Sequence, residues 1–317
     1  MRLAVLDIGS NSIHLLVVDA HVGATPMPAT SHKEVLRLAE NLGPDGSISQ
    51  FGQDRLVAFC KDAQRIAEEQ GAEEILAFAT SAIRSAPNGE ATIARVLAET
   101  GIELRVMSGE DEARITFLAA RRWFGWSAGN ILLLDIGGGS LEIAAGRDEF
   151  PDAATSVPLG AGRMHSEFLS ADIPSDADIE ALRKHARFTI GRIAGDINRV
   201  GKPEKVVGSS KTFRSLARLA GAAPSGDGIY VPRKLRRSDL TGIVERLAAR
   251  TPAERALLPG VSEARAGQVL AGAIVAEAAF TIFGIGHMRI SPWALREGII
   301  MRKLDLLGSM ERMAAPE

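Results

Sequence analysis

Cysteine is almost absent from this 317-residue chain. Cys60 stands alone, so no internal disulfide and no cysteine-built metal site can form. Disulfide-stapled secreted scaffolds are thereby excluded, and a reducing compartment, the cytoplasm, is the expectation. Long hydrophobic runs are absent too. No window approaches the roughly 18 uninterrupted apolar residues of a membrane-spanning helix, so no membrane association is expected. The apolar strand pattern begins at Leu3, which is expected to leave no room for a signal peptide. The chain also lacks an excess of either charge. Lys and Arg total 37 and Asp and Glu 39, a formal net charge of −2. That balance excludes a globally basic nucleic-acid binder while permitting a local basic patch. Attraction for a polyanion would have to come from a cleft. What remains is ordinary globular composition, 46% hydrophobic and 24% charged, in a length sufficient for two domains with real cores.

One stretch occurs twice. Leu3-Ala4-Val5-Leu6-Asp7-Ile8-Gly9-Ser10-Asn11-Ser12-Ile13 returns as Ile131-Leu132-Leu133-Leu134-Asp135-Ile136-Gly137-Gly138-Gly139-Ser140-Leu141. Each copy reads as strand, tight glycine turn, strand, with one carboxylate at the mouth of the turn. Such a turn gathers backbone N–H groups into a small volume, which suits a phosphate. An adjacent Asp can hold a divalent cation that bridges phosphate oxygens. A single copy would equally fit an Asp that merely caps a turn. Two copies in register point to two like domains facing each other across a phosphate-binding cleft.

Around these turns the pattern alternates. Strands are expected at 3–7, 13–19, 31–38, 75–79 and 102–107, with helices at 54–70, 90–100 and 109–124. Gly125-Trp126-Ser127-Ala128-Gly129-Asn130 interrupts the alternation and sets the expected domains at 1–125 and 126–317, with the final helix able to pack back on the first. The second half restarts with strand, turn and strand at 131–145. Helices near 161–169, 176–199, 211–219, 238–250, 267–282 and 293–307 follow, with strands near 205–207 and 288–291. Strands alternating with helices argue for an α/β protein whose sheets are covered by helices.

Several side chains carry chemistry in this frame. Asp135 and Glu142 lie on opposite arms of the second turn, where a hairpin can join them as two hard oxygen ligands for Mg²⁺ beside the N–H groups of Gly137, Gly138 and Gly139. Ser10, Asn11 and Ser12 offer donors in the first turn, as does Ser140 in the second. His14 aligns with Glu142 in the duplication, though a lone His on a strand is more often structural. Ser108-Gly109-Glu110-Asp111 has the form of a capping box, which leaves Glu112 as the first carboxylate able to face a cleft. Arg84 follows a short polar turn, and a guanidinium there can bind two phosphate oxygens. Gly208-Ser209-Ser210-Lys211 reads as strand, small turn and helix N-terminus, a ready anion site. Arg233-Lys234-Leu235-Arg236-Arg237 is the densest basic run. It could steer a polyanion, although charge runs are usually solvated faces.

The motifs in order are Leu6-Asp7-Ile8-Gly9-Ser10-Asn11-Ser12-Ile13-His14, Ala79-Thr80-Ser81-Ala82-Ile83-Arg84 and Ser108-Gly109-Glu110-Asp111-Glu112-Ala113-Arg114. Asp135 through Glu142, Gly208-Ser209-Ser210 and Arg296-Glu297-Gly298 follow. Over almost its whole length the chain resembles the exopolyphosphatase and guanosine pentaphosphate phosphohydrolase family, in its short two-domain form. That family lies within the actin, Hsp70 and sugar-kinase superfamily. The resemblance implies two ribonuclease H-like, actin-like domains and a homodimer. It also implies Mg²⁺-dependent release of orthophosphate from inorganic polyphosphate or guanosine pentaphosphate, with no stable nucleic-acid partner. Glu112 falls on the family's catalytic glutamate, which would orient and deprotonate water, assisted by Arg84. Asp135 and Glu142 fall on metal positions, with Asp7 as counterpart on the other wall. Gly137, Gly138, Gly139, Ser140, Gly208, Ser209 and Lys211 join Ser10, Asn11 and Ser12 as substrate contacts. Two residues depart from the pattern: Asp111 stands where Glu is usual, and Gly267 where Asp is common. No guanine-reading pocket is legible, which favours polyphosphate. A small-molecule kinase or a nucleotide-driven switch of the same superfamily would require an acceptor pocket or a partner-binding insertion, and neither is evident.

Overall fold

Both repeats fold into antiparallel hairpins, and each hairpin anchors a sheet. The computed structural model describes the chain except for residues 22, 24–26, 37, 39–42, 44 and 315–317. Two compact units result, Met1–Ser108 with Leu295–Glu317, and Gly109–Ala294.

In the first unit β1 (Arg2–Ile8) pairs antiparallel with β2 (Ile13–Asp19), and β2 with β3 (Met27–Glu34). After α1 (Gln50–Glu69), β4 (Glu74–Ala79) returns parallel to β1. The short α2 (Ser81–Ser85) and α3 (Gly89–Thr100) lead to β5 (Arg105–Val106), parallel to β4. The strand order is β3-β2-β1-β4-β5. The parallel returns need crossovers, which α1 and α3 supply. Leu56, Phe59, Cys60 and Ala63 of α1 bury one face of the sheet against Leu6, Ile8, Leu15 and Val17. Expected strand 31–38 is displaced toward the N-terminus, and its residue 37 lies outside the described residues. Expected strand 102–107 shrinks to two residues because only Phe78 and Ala79 find partners there.

The second unit opens with α4 (Gly109–Phe124), so the boundary expected after residue 125 falls inside it. Ala113, Phe117 and Ala120 of that helix pack on Ile131, Leu133, Ala144 and Val207 of the sheet that follows. That sheet begins with β6 (Ile131–Ile136) and β7 (Leu141–Gly146), joined by β8 (Ala153–Val157), a strand of small residues that periodicity missed. Then come α5 (Ala161–Phe168), α6 (Asp176–Asn198), β9 (Lys205–Gly208) and α7 (Lys211–Leu219). The chain continues through β10 (Lys234–Arg236), α8 (Arg237–Ala248), α9 (Pro252–Ala256), α10 (Val269–Ile282) and β11 (His287–Ile290). The order β10-β11-β9-β6-β7-β8 repeats that of the first unit, with β10 added antiparallel at the edge. Two mixed sheets with this shared order are the ribonuclease H-like, actin-like architecture. The apolar α10 is buried nearly all round, as its composition requires. A Cβ on Gly272 would come within 2.6 Å of Thr212, so glycine permits the close approach of α10 to α7. The last helix, α11 (Leu295–Ala314), belongs to the first unit, where Lys303 pairs with Glu74 at 2.6 Å.

Candidate active site

In the second unit Asp135 and Glu142 are direct cross-strand partners of β6 and β7. Their side chains therefore leave the same face of the sheet, with Cβ atoms about 5 Å apart. Ser156 continues the row on β8 and donates to Glu142 Oε1 at 2.8 Å. Ser209, just past β9, donates to Asp135 Oδ2 at 2.5 Å. Its hydroxyl thus orients a carboxylate, a role that the expectation of a phosphate contact did not contain. Glu142 is only 2% exposed. Two carboxylates facing each other across a ladder repel, and a cation between them would relieve the cost.

Gly137 N–H closes the turn on Ser140 C=O at 2.9 Å. The carbonyls of this turn point the other way, into α5. Ala161 N–H donates to Gly137 C=O at 2.9 Å, Gly162 and Arg163 N–H to Gly138 C=O at 2.9 and 3.0 Å, and Arg163 Nε to Gly139 C=O at 3.2 Å. In a trans peptide C=O and N–H point in opposite directions. The N–H groups of Gly138, Gly139 and Ser140 therefore point away from α5, and none donates a hydrogen bond among the described residues. Together they form a concave set of donors of the kind that binds anions. Gly160 makes this possible. A Cβ there would lie 2.3 Å from Gly139 N and C, so only glycine lets α5 close on the turn.

Glu112 lies in the first turn of α4, whose neighbouring Ala113 is buried against the face that carries Asp135 and Glu142. Glu110 is held by Arg114, and Asp111 stands 3.9 Å from the same guanidinium. Gly208 fits between Met288 and Phe213, where a Cβ would approach to 2.7 and 2.9 Å. Its role is close packing. Ser210, the N-cap of α7, accepts from Phe213 N–H, and Lys211 is the exposed first residue of that helix.

Sequence reasoning missed one arginine of this unit. Arg265 is half-buried and its guanidinium is pulled below its ordinary range, first by burial and then by Arg214, with Asp135 opposing. The short stretch Arg265-Ala266-Gly267 could have drawn attention to it, but there the glycine took the notice. A Cβ on Gly267 would sit 3.1 Å from His165 Nε2, so the imidazole fills the space over that glycine.

In the first unit the turn closes the same way, Gly9 N–H to Ser12 C=O at 3.1 Å. Ser10 is buried and shares a 2.8 Å hydrogen bond with Ser81, while Asn11 is buried beside it. Arg84 Nη1 donates to Met107 C=O at 2.6 Å. Asp7 faces His14 across the ladder, and His14 faces Lys33. His14 Nε2 lies 2.6 Å from Ser31 Oγ, while its buried Nδ1 has no hydrogen-bond partner among the described residues. Burial pushes the Asp7 carboxyl above the usual carboxylate range, opposed by Arg296 and Lys33 and reinforced by Glu297. Among the described residues no group of three or more His, Cys, Asp or Glu forms a metal cage. Mg²⁺ needs only one or two carboxylates when substrate oxygens complete its shell. Asp135 with Glu142 fit that requirement, whereas Asp7 has the cations Arg296 and Lys33 as well as the carboxylate Glu297 in its field.

Residues 17–307 match the model of the Ppx/GppA phosphatase family. Exopolyphosphatase 1 of Mycobacterium tuberculosis is 50% identical over 305 residues, covering 96% of this chain and 89% of that protein. Guanosine-5'-triphosphate,3'-diphosphate pyrophosphatase of Aeromonas hydrophila is 27% identical over 301 residues, covering 94% of this chain but 58% of that protein. The crystal structure of an exopolyphosphatase from Cytophaga hutchinsonii superposes with a TM-score of 0.86 at 25% identity, covering 96% of this chain and 98% of that one. This chain belongs to the Ppx/GppA phosphatase family.

Proposed function

We propose that the protein is an exopolyphosphatase, a phosphoanhydride hydrolase that removes terminal orthophosphate from inorganic polyphosphate. One observation carries the reading: the uncommitted N–H groups of Gly138, Gly139 and Ser140 lie beside the Asp135–Glu142 pair, on a sheet face that α4 covers. The 50% identity to exopolyphosphatase 1, against 27% to the guanosine-type enzyme, favours polyphosphate over guanosine pentaphosphate.

In this reading the three N–H groups bind the terminal phosphate. Asp135 and Glu142, oriented by Ser209 and Ser156, would hold Mg²⁺. That ion, when bound, supplies positive charge to phosphate oxygens. Glu112 accepts a proton from water as its oxygen attacks the terminal phosphorus. The bridging P–O bond breaks, and the shortened chain leaves with its electron pair. Positioning and electrostatics do most of the work, as is general for phosphoryl transfer. Arg265 and Lys211 add positive charge for the substrate. A homodimeric state and a cytoplasmic location belong to the same proposal, testable by sedimentation and by cell fractionation.

The test is orthophosphate release with Mg²⁺ from polyphosphate, guanosine pentaphosphate and ATP. Wild type should prefer polyphosphate, and Glu112→Gln should lower kcat by about 10²–10⁴-fold, the usual weight of a general base. A folded wild type that releases phosphate from none of them would sink the hydrolase.

A further inference from the structure

The face of the second sheet that carries Asp135, Glu142 and Ser209 does not end at the catalytic row. Leu133 pairs with Val207 and Val207 with Arg289. Arg289 in turn pairs with Lys234, and His287 with Arg236. Partners on a ladder leave the same face, and so do residues two apart on one strand. Lys205, Arg289, His287, Lys234 and Arg236 thus share the face of Asp135. The alternate residues Leu235 and Met288 are buried on the opposite face, with α7 and α8. Helix α4 packs over β6, β7 and β8 and onto Val207, and its Trp123 meets the rings of Tyr230 and Trp293. The part formed by β9, β11 and β10 is left with Arg236 and His287 exposed, and with Lys205, Lys234 and Arg289 half-buried.

The charges are arranged against ordinary stability. Lys234 opposite Arg289 and Arg236 opposite His287 are like-charge or potentially like-charge pairs in direct register, an arrangement that destabilises a sheet. Burial and then the cations Lys234, Arg289 and Arg236 push the His287 imidazole below its ordinary range. Nearby carboxylates serve elsewhere. Glu204 pairs with Arg147 at 2.6 Å, and Asp239 accepts from the Arg236 backbone N–H at 3.2 Å. Lys205 lies over the Phe124 ring at 5.2 Å. Among the described residues, none of Lys234, Arg236 and Arg289 forms a salt bridge. Arg233, which opens this basic run, is committed to the carbonyls of Ala223, Pro224, Gly228 and Val231. With strands about 4.8 Å apart and about 3.3 Å per residue, Arg236 lies about 16 Å from Ser209 along the sheet.

Resting on the exopolyphosphatase reading, we propose that Lys205, Lys234, Arg236, His287 and Arg289 form a second binding site for the polyphosphate chain. It holds phosphates remote from the one being cleaved. Short chains engage only the glycine turn; long chains engage both. The cross-strand repulsion is offset when the polyanion lies along the row.

The test compares wild type with Lys234→Glu/Arg236→Glu and with the milder Lys234→Gln/Arg236→Gln, after circular dichroism establishes folding. With long-chain polyphosphate at low salt, kcat/KM should fall about tenfold or more, and the salt dependence should flatten. With tripolyphosphate the change should stay within about twofold, as expected for surface charges that the short chain does not reach. Calorimetric binding of long-chain polyphosphate in a Glu112→Gln background should weaken in parallel. Equal losses on short and long chains, or unchanged affinity, would overturn the proposal and leave the charges as protection of an edge strand. Equal competition by single-stranded RNA would also overturn it. If wild type hydrolyses no polyphosphate, the parent reading fails, and unchanged binding affinity in the variants would still overturn this one separately.

Discussion

Gly160→Ala is the sharpest test of how the phosphate turn is built. The backbone of Gly160 is ordinary for alanine, φ −70° and ψ 147°, so the substitution carries no conformational strain. Its effect is purely steric. The new methyl would stand 2.3 Å from Gly139 N and C, and ordinary contact begins at 3.4 Å, so α5 and the turn must part by about 1.1 Å. The three backbone hydrogen bonds from α5 to the turn, now 2.9, 2.9 and 3.0 Å, would stretch to roughly 4 Å, beyond useful range. At about 1 kcal/mol each, their loss costs about 3 kcal/mol, partly offset by the reduced freedom of the unfolded chain. For a unit of this size each kcal/mol moves Tm by about 2–4 °C, which gives a fall of roughly 4–12 °C. The turn donors would also shift by about 1 Å, and a displacement of that size can cost about 10²-fold in rate. Thermal denaturation and orthophosphate release from polyphosphate measure both. Gly191→Ala is the control. It lies on α6 with nothing within 4 Å of the new methyl, and should be neutral or stabilising by up to about 1 kcal/mol. Wild-type turnover and Tm in Gly160→Ala would refute the claim that α5 shapes the turn.

The other predictions concern the carboxylates. Ser209→Ala removes the 2.5 Å donation to Asp135 Oδ2. It should raise the Mg²⁺ concentration for half-maximal activity about 10-fold or more while the protein stays folded, as loss of a ligand's supporting hydrogen bond does elsewhere. An unchanged Mg²⁺ titration would contradict the orienting role. For Asp7, burial raises the folded carboxyl above its unfolded value. The folded state then binds more protons between the two values, so stability falls as pH rises through that window. Asp7→Asn should therefore hold or raise Tm at neutral pH in metal-free buffer, flatten its dependence on acidic pH, and lower turnover. A lower Tm than wild type at neutral pH would count against desolvation as the dominant cost.

Local signals made some of this legible and tertiary packing hid the rest. The paired strands and glycine turns follow from a two-residue period and a short loop, so the opposition of Asp135 and Glu142 could be read from spacing alone. Strand β8 escaped because Ala153, Ala154, Thr155 and Ser156 lack strong alternation; it forms because β7 offers an edge. Strand β10 looks like a basic run in the sequence, since Lys-Leu-Arg has one apolar residue to declare a buried face. The need for glycine at 160 depends on a helix returning from elsewhere onto the turn, which no sequence window contains. Ser209 illustrates the same limit. Small residues before a helix suggested an anion site, while its bond to Asp135 spans 74 positions.

The two copies of the turn separate what the fold requires from what the chemistry requires. Both keep the aspartate, the glycine that begins the turn and the backbone closure onto a serine carbonyl, so these serve the hairpin wherever it occurs. They differ along the rung that the aspartate occupies. In the first unit the rung runs Asp7, His14, Lys33, with Arg296 and Glu297 adding opposed charges to the field at Asp7. It is close to neutral by itself and has no second carboxylate. In the second unit the rung runs Asp135, Glu142, Ser156. Its two acidic side chains have serine hydroxyls as the hydrogen-bond partners resolved on either side. A rung with that excess of negative charge is costly in an empty protein and suited to a divalent cation. Only the second turn thus carries the paired carboxylates that the proposed Mg²⁺ site needs. The difference lies at two ladder positions, His14 against Glu142 and Lys33 against Ser156.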